Sequence, residues 1–273
     1  LMGDLLEYGF EINPYDPCVA NKLVNGKQLT VTFWVDDLKV SHEDSNVVTK
    51  FIKWLEDKYG KMRTSRGKKH DYLGMDMDFS TPGYVKIGMV NYIQSTLQDF
   101  PEKITKTANT PASSHLFNVN EHDEKLCNKM AAVFHHVVAR LLFACKRARP
   151  DIQTAIAFLT TRVQSPGMDD WKKLRRVLRY LYGTQHMSLT LGANNSREIE
   201  WWVDASYGVH PNMRSHTGSV MSFGYGCAQG FSGKQKLNVR SSTEAELVGV
   251  DDRMSDICWL DYFLTAQGYA LKT

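Results

Sequence analysis

Asp36 and Asp37 are adjacent carboxylates set between two short apolar runs. Side by side, two such groups repel each other, and a divalent cation relieves the repulsion. Mg2+ takes one or two carboxylates and completes its shell with water and phosphate oxygens, which is the arrangement nucleotidyl transfer requires. Aspartate is also a favoured turn residue, so the pair by itself has a purely structural explanation as well. A second feature is cationic. Lys172, Lys173, Arg175, Arg176 and Arg179 fall on the helix side opposite Leu174, Val177, Leu178 and Leu181. A face of five cations without an acid can track a phosphate backbone, or can simply be solvated. His135-His136 with Cys127 suits no zinc class, because neighbouring histidines on a helix point apart.

The elements that must position these residues can be read from periodicity. Leu29 to Val35 and Leu38 to Ser41 alternate as strands, with Val31, Phe33 and Val35 on one face and Thr30, Thr32 and Trp34 on the other. Asp36-Asp37 then stands at the tip of a hairpin. Leu1 to Phe10 reads as a helix tail closed by Gly9, and Asn13 to Pro17 as turn chemistry. Asn46 to Tyr59 is helical, with Val47, Phe51, Trp54 and Leu55 on one stripe. Tyr72 to Phe79 and Gly83 to Ile87 read as a hairpin, and Val90 to Phe100 as a helix. Lys103 to Asn120 is polar, with Thr110-Pro111 and Ser113-Ser114, and is the expected boundary. Two or three helices follow, the clearest from Asp170 to Tyr182 and stopped by Gly183. Beyond Asn194-Asn195 the pattern becomes strand (Ile199 to Ala205), strand (Thr217 to Phe223), strand (Gln229 to Gly233) and a long helix from about Thr243 to Ala266.

Bulk properties narrow the classes. With 42% hydrophobic residues in 273, the chain can bury a real core and is not a disordered tail. A net charge of +3 is too small to argue for nucleic acid without local clustering. The five cysteines lie far apart with no C-x-x-C pair, which argues against a zinc knuckle or disulfide framework and fits a reducing compartment. No apolar run approaches the roughly 20 residues of a membrane span. The chain opens on Leu1 in what reads as mid-helix, the pattern expected of a piece of a longer protein.

Phe33-Trp34-Val35-Asp36-Asp37-Leu38 resembles the aromatic-x-Asp-Asp hairpin of reverse transcriptases. Around it lie Tyr15-Asp16-Pro17-Cys18, Tyr72-Leu73-Gly74-Met75, Arg149-Pro150-Asp151-Ile152, the run Arg175 to Thr184 (RRVLRYLYGT), and Ser241-Ser242-Thr243-Glu244-Ala245-Glu246. With the hairpin these make six stretches in the order of copia-type retrotransposon polyproteins, and the chain resembles that family over nearly its whole length. The resemblance implies an α+β fold: the end of a reverse transcriptase palm with thumb (1–110), a helical connection (111–195), and the N-terminal part of a ribonuclease H-like α/β domain (196–273). It implies RNA-directed DNA polymerase and ribonuclease H activities with Mg2+, two ions per site in the complete enzyme. It also implies RNA template, DNA primer and RNA–DNA hybrid as partners, no membrane, and a cytoplasmic place with access to the nucleus.

Residue by residue, the resemblance makes Asp36 and Asp37 catalytic metal ligands of the first site and puts Trp34 near the primer end. The family usually carries Tyr there; Trp keeps the apolar bulk without the hydroxyl. Asp204 and Glu246 become catalytic metal ligands of the second site, and Lys172, Arg175, Arg176 and Arg179 become nucleic-acid contacts. Glu244 competes with Glu246, because residues i and i+2 on a helix point about 200° apart and only one can serve a given site. Ser241-x-x-Glu244 and Thr243-x-x-Glu246 both fit a capping box, so spacing leaves the choice open. The resemblance selects Glu246, which opens the Leu-rich run Glu246-Leu247-Val248. In the family a further palm aspartate precedes this stretch and further ribonuclease H acids follow it, so each site here holds part of its set. A non-catalytic retroelement remnant that binds nucleic acid, or has no activity, is the alternative; an unrelated metal enzyme built on Asp36-Asp37 is a weaker one.

Overall fold

Two-residue turns organise the first part of the chain. The structure, a computed structural model, describes residues 1–194 and 196–271, so Asn195 at the expected connection boundary and the final residues of the expected last domain lie outside the described residues. Helix α1 (Met2–Glu7) leads into strands β1 (Glu11–Asn13), β2 (Asp16–Val24), β3 (Lys27–Trp34) and β4 (Asp37–Ser41), followed by helix α2 (Ser45–Tyr59) and strand β5 (Lys69–Tyr72). Strands β1 to β4 form one antiparallel sheet in chain order. Asn25-Gly26, with positive φ at both residues (54° and 74°), makes the tight β2–β3 turn that matches strand twist.

Where turn chemistry is expected from Asn13 to Pro17, the turn is confined to Pro14 and Tyr15, and strands β1 and β2 flank it. Pro17 can sit in β2 because pairing with β3 begins only at Val19, so its missing N–H removes no bond to that strand. The face carrying Ala20, Leu29 and Val31 is buried against Phe51 and Leu55 of α2 and Leu5 of α1. Asp44 caps α2 through its carboxylate, which accepts from the Asn46 amide at 2.8 Å, and Gly60 ends it with φ 85°.

Two compact units emerge: 1–73 together with 255 onward, and 74–254. The second opens with β6 (Met75–Asp78), β7 (Tyr84–Gly88) and α3 (Val90–Asp99), then α4 (Asn128–Cys145), α5 (Gln153–Thr160), α6 (Met168–Gly183) and β8 (Leu189–Ala193). It continues through β9 (Glu200–Ser206), β10 (His216–Ser222), β11 (Gly224–Tyr225), β12 (Gln229–Lys234) and the first half of α7 (Ser242–Ala266). The single strand expected from Tyr72 to Phe79 is broken. Leu73 and Gly74 both take positive φ (53° and 73°), so Tyr72-Leu73-Gly74-Met75 is turn rather than strand. Strands β8 and β11, also not foreseen, pair with β7 and with each other.

The core of the second unit is helical. Phe134, Val137 and Leu141 of α4, Ile156 and Leu159 of α5, and Trp171, Leu174, Leu178 and Leu181 of α6 form it together with Ile93 of α3. Ile104 and Leu116 join the same core, so the polar stretch around them is pinned down rather than free. Strands β12, β10 and β9 form a separate three-stranded antiparallel sheet in that order. Mixed helices and antiparallel sheets make the chain α+β.

Candidate active sites

The Asp36-Asp37 hairpin is tight. Trp34 pairs directly with Asp37, leaving Val35 and Asp36 as the two turn residues. Val35 carries φ 52°, a left-handed conformation that crowds a β-branched side chain and costs of order 1–2 kcal/mol. Trp34, Val35, Asp36 and Asp37 are all exposed, Trp34 at 61%. Register puts Trp34, Asp37, Thr32 and Lys39 on one face of the hairpin, and Phe33, Leu38, Val31 and Val40 on the buried face. Burial lowers the Lys39 ammonium below its ordinary value, two residues from Asp37. Gln28, at the other end of β3 on this open face, accepts company from the last turns of α7 by donating to Gln267 at 3.2 Å.

In the second unit, Asp204 stands near the end of β9 opposite Gly218 and is exposed. Gln235, almost fully buried, ties the start of α7 to β10: its amide nitrogen donates to the Ala245 carbonyl at 2.8 Å and to Thr217 Oγ1 at 2.9 Å. One turn further on, Gly249 comes so close that an added Cβ would lie 3.4 Å from Thr217 and 3.6 Å from Ala205. The residues directly beside Asp204 and Glu246, Ala205 and Ala245, therefore belong to one packed contact. The pleat turns Asp204 itself to the other face of β9, the one carrying Trp202. Glu246 is half-buried on the flank of the helix stripe marked by Ala245 and Gly249. Among the described residues no three His, Cys, Asp or Glu side chains gather closely enough to share a metal ion.

Glu244 has a different task. Its carboxylate accepts from the Arg240 amide at 2.7 Å, while its own amide donates to Ser241 Oγ at 3.1 Å. This is reciprocal capping of the start of α7, so Glu244 is held by the helix end.

The cationic face of α6 is largely occupied. Arg175 donates to Glu102 at 2.8 Å, Arg176 to Thr110 Oγ1 at 2.9 Å, and Lys173 pairs with Asp169 at 2.9 Å. Glu102 also accepts from the Trp171 indole at 2.6 Å. Burial opposes ionisation of Glu102, but the Trp171 and Arg175 hydrogen bonds outweigh it and hold the carboxyl below its usual range. Arg179 is half-buried, and Lys172 is the exposed member of the five. Apart from the Asp169–Lys173 pair within α6, spacing on a helical wheel could not reveal this, because Glu102 and Thr110 come from the stretch before α4.

Two stretches that the sequence reading treated separately meet in one network. Arg149, 1% exposed, donates from Nε and Nη2 to the Asp151 carboxylate at 2.9 and 2.7 Å. Its Nη1 and Nη2 also reach the Thr184 carbonyl and hydroxyl at 3.0 and 2.7 Å, and Thr184 donates on to the Tyr180 carbonyl. The Arg-Pro-Asp turn is thereby riveted to the Tyr-Leu-x-Gly-Thr end of α6. Both stretches, like the hairpin and the α7 cap, correspond to the copia-type pattern, and the comparison with known proteins agrees. The chain is 27% identical over 268 residues to the retrovirus-related Pol polyprotein from transposon TNT 1-94 of Nicotiana tabacum, across 94% of this chain and 20% of that protein. Its homologues are Pol polyproteins of copia-type and Ty retrotransposons.

Similarity to the putative transposon Ty5-1 protein of Saccharomyces cerevisiae is 26% over 231 residues, 83% of this chain and 73% of that one. The Pol polyprotein from transposon RE2 of Arabidopsis thaliana is 36% identical over 125 residues, 45% of this chain and 9% of the relative. The chain thus corresponds to a retrotransposon polyprotein segment, spanning 20% of the tobacco protein. No family model and no solved structure matches it. Among the described residues no helix is long and apolar enough to cross a membrane.

Proposed function

We propose that this segment contributes to an RNA-directed DNA polymerase with ribonuclease H activity, residues 1–110 supplying the palm end and thumb, 111–195 the connection and 196–273 the start of the ribonuclease H-like domain. The observation that carries the reading is the exposed, strained Asp36-Asp37 hairpin, followed in the Pol order by a strand, strand, strand, helix unit bearing Asp204 and Glu246. Adjacent exposed carboxylates are hard oxygen donors with open sides, which suits Mg2+. Asp36 and Asp37 would hold it at the first centre; for the second the resemblance assigns Asp204 and Glu246, although β9 turns Asp204 to the face away from α7 and the fold does not bring the two together. When bound, the ion supplies charge neutralisation for phosphate oxygens and lowers the pKa of attacking water. The chain's own residues do the rest. The strained turn holds Asp36 clear of the sheet and Asp37 exposed at its edge in register with Trp34, whose exposed indole offers a stacking surface for a primer-end base. The cap at Ser241 and Glu244 fixes where α7 begins, and so where Glu246 stands.

One observation favours the non-catalytic alternative: the cationic face of α6 is mostly bound by the protein itself. The test is a polyprotein carrying this segment, assayed for primer extension on RNA and for hybrid cleavage, with Mg2+ and with chelator. Both activities, each lost on chelation, are expected; their absence from a folded, Mg2+-supplied polyprotein would establish the remnant.

A further inference from the structure

His210 and His216 bracket the turn that follows the Asp204 strand. His216 stands in β10 opposite Ser206, and both imidazoles are nearly fully buried, at 3% and 6% exposure. Nε2 of His210 lies 3.0 Å from Nδ1 of His216, and Nε2 of His216 lies 2.7 Å from Ser232 Oγ on β12. Ser232 in turn donates to Thr154 Oγ1 of α5 at 3.4 Å. One placement of hydrogens satisfies this whole relay: His210 donates through Nε2 to His216, His216 through its own Nε2 to Ser232, and Ser232 to Thr154. Phe117 packs 5.1 Å from each ring, and Phe158 stacks on His210. The intervening turn is closed by His210 N to Arg214 O (3.1 Å), Met213 N to His210 O (2.8 Å) and Gly208 N to Ser215 Oγ (3.2 Å).

We infer that His210 and His216 are positioning residues for the Asp204 centre: as an uncharged, hydrogen-bonded pair they clamp the turn from Tyr207 to Ser215 and hold the end of β9 in register with β10. This rests on the reading of Asp204 as a metal-binding acid. Burial pushes both imidazoles down to about 4, and for His210 the neighbouring His216 and Lys234 act in the same direction. Charged groups reach the pair from several sides. Lys234 of β12 pairs with His216, and Lys173 of α6 lies 4.9 Å from the Phe158 ring. Arg214 belongs to the turn, Asp204 stands two residues from Ser206 along β9, and α5 (QTAIAFLT) brings no charge. A proton on Nδ1 of His216 would face the His210 N–H across 3.0 Å, so the clamp must lose that bond or switch tautomer. The folded-state pKa lies below the unfolded value of about 6.5, so the clamp is complete above that pH and is lost as pH falls through it toward 4.

Hydrogen exchange and imidazole 15N titration by NMR on the 273-residue chain test this. Both rings should titrate near 4 as Nε2–H tautomers. Protection of the Asp204 to Ser206 amides, normalised to β2 and β3, should fall about tenfold or more between pH 7 and 4.5. His210→Phe should lower it already at pH 7, whereas His210→Gln, which keeps a donor in the place of Nε2, should retain it. Rings titrating near 6.5, or protection unchanged in His210→Phe, would overturn the inference; if that variant does not fold, the ring titration and His210→Gln decide. A polyprotein that supplies the acids following this segment separates the two readings. Hybrid cleavage that survives both Asp204→Asn and removal of Mg2+ would sink the metal reading of Asp204, while the clamp, read by ring titration and amide protection, stands.

Discussion

Arg149 shows what a short motif can hide. Its guanidinium is buried with a solvent-accessible aspartate two residues away and a threonine at the far end of α6, so the buried charge is satisfied only while both partners are present. Removing Arg149 leaves the Thr184 carbonyl without its donor and a void where a large buried side chain packed, while Asp151 is solvated. Arg149→Ala should therefore cost about 2 kcal/mol in urea unfolding. Arg149→Lys should recover only part of this, because a point charge cannot fork to Asp151 and Thr184 together. A loss below about 0.5 kcal/mol for the alanine variant would mean that the network is incidental. Neither motif shows in sequence that the two touch, since 35 residues separate Arg149 from Thr184 and only the fold closes that gap. The roles of Glu244 and Glu246, by contrast, were half legible. The capping spacing at Ser241 was visible, and the structure shows Glu244 using it. Glu244→Gln should then cost about 1 kcal/mol or less of stability and spare hybrid cleavage. Glu246→Gln should remove cleavage and leave stability nearly unchanged. The opposite pair of outcomes would exchange the roles of the two glutamates.

At the scale of elements, the β3–β4 hairpin was readable from alternation, but its strain was not. Two apolar strands around Asp-Asp fix the turn, while only the register of Trp34 with Asp37 forces Val35 into positive φ. Asn tolerates that region far better than a β-branched residue, so Val35→Asn should stabilise the chain by about 1 kcal/mol in urea unfolding. No gain would mean that the turn relaxes without strain. Strands β1 and β2 escaped because Asn13, Pro14 and Pro17 look like pure punctuation, although the prolines sit where no ladder bond is needed. Helix α6 was found almost to the residue, yet the protein partners of Arg175 and Arg176 were not legible, because a wheel knows nothing of the 102–118 stretch. Lys172→Gln should flatten the log–log salt dependence of hybrid binding by about one unit at most. Arg175→Gln should leave that slope alone and cost at most about 1 kcal/mol, since its pair with Glu102 is partly exposed. Equal slope changes for both would restore the free basic face.

For the molecule as a whole, the α+β class and the strand, strand, strand, helix order near the C-terminus were legible, whereas the division into compact units was not. Sequence patterns mark polar boundaries, but Ile104 and Leu116 anchor the polar stretch into a helical core, and the second half of α7 is counted with the first unit. Asp36 and Asp37 lie in one compact unit and Asp204 and Glu246 in the other, so on the proposed reading each pair serves its own ions. That separation yields the most direct test of the proposed function, on a polyprotein that carries this segment. Asn keeps the shape of Asp but removes the charge that holds Mg2+, so damage should stay at the altered centre. Asp36→Asn should lower primer extension on RNA by about a thousandfold and leave hybrid cleavage near wild type, while Asp204→Asn should do the reverse. Unchanged primer extension in Asp36→Asn would contradict the polymerase assignment outright.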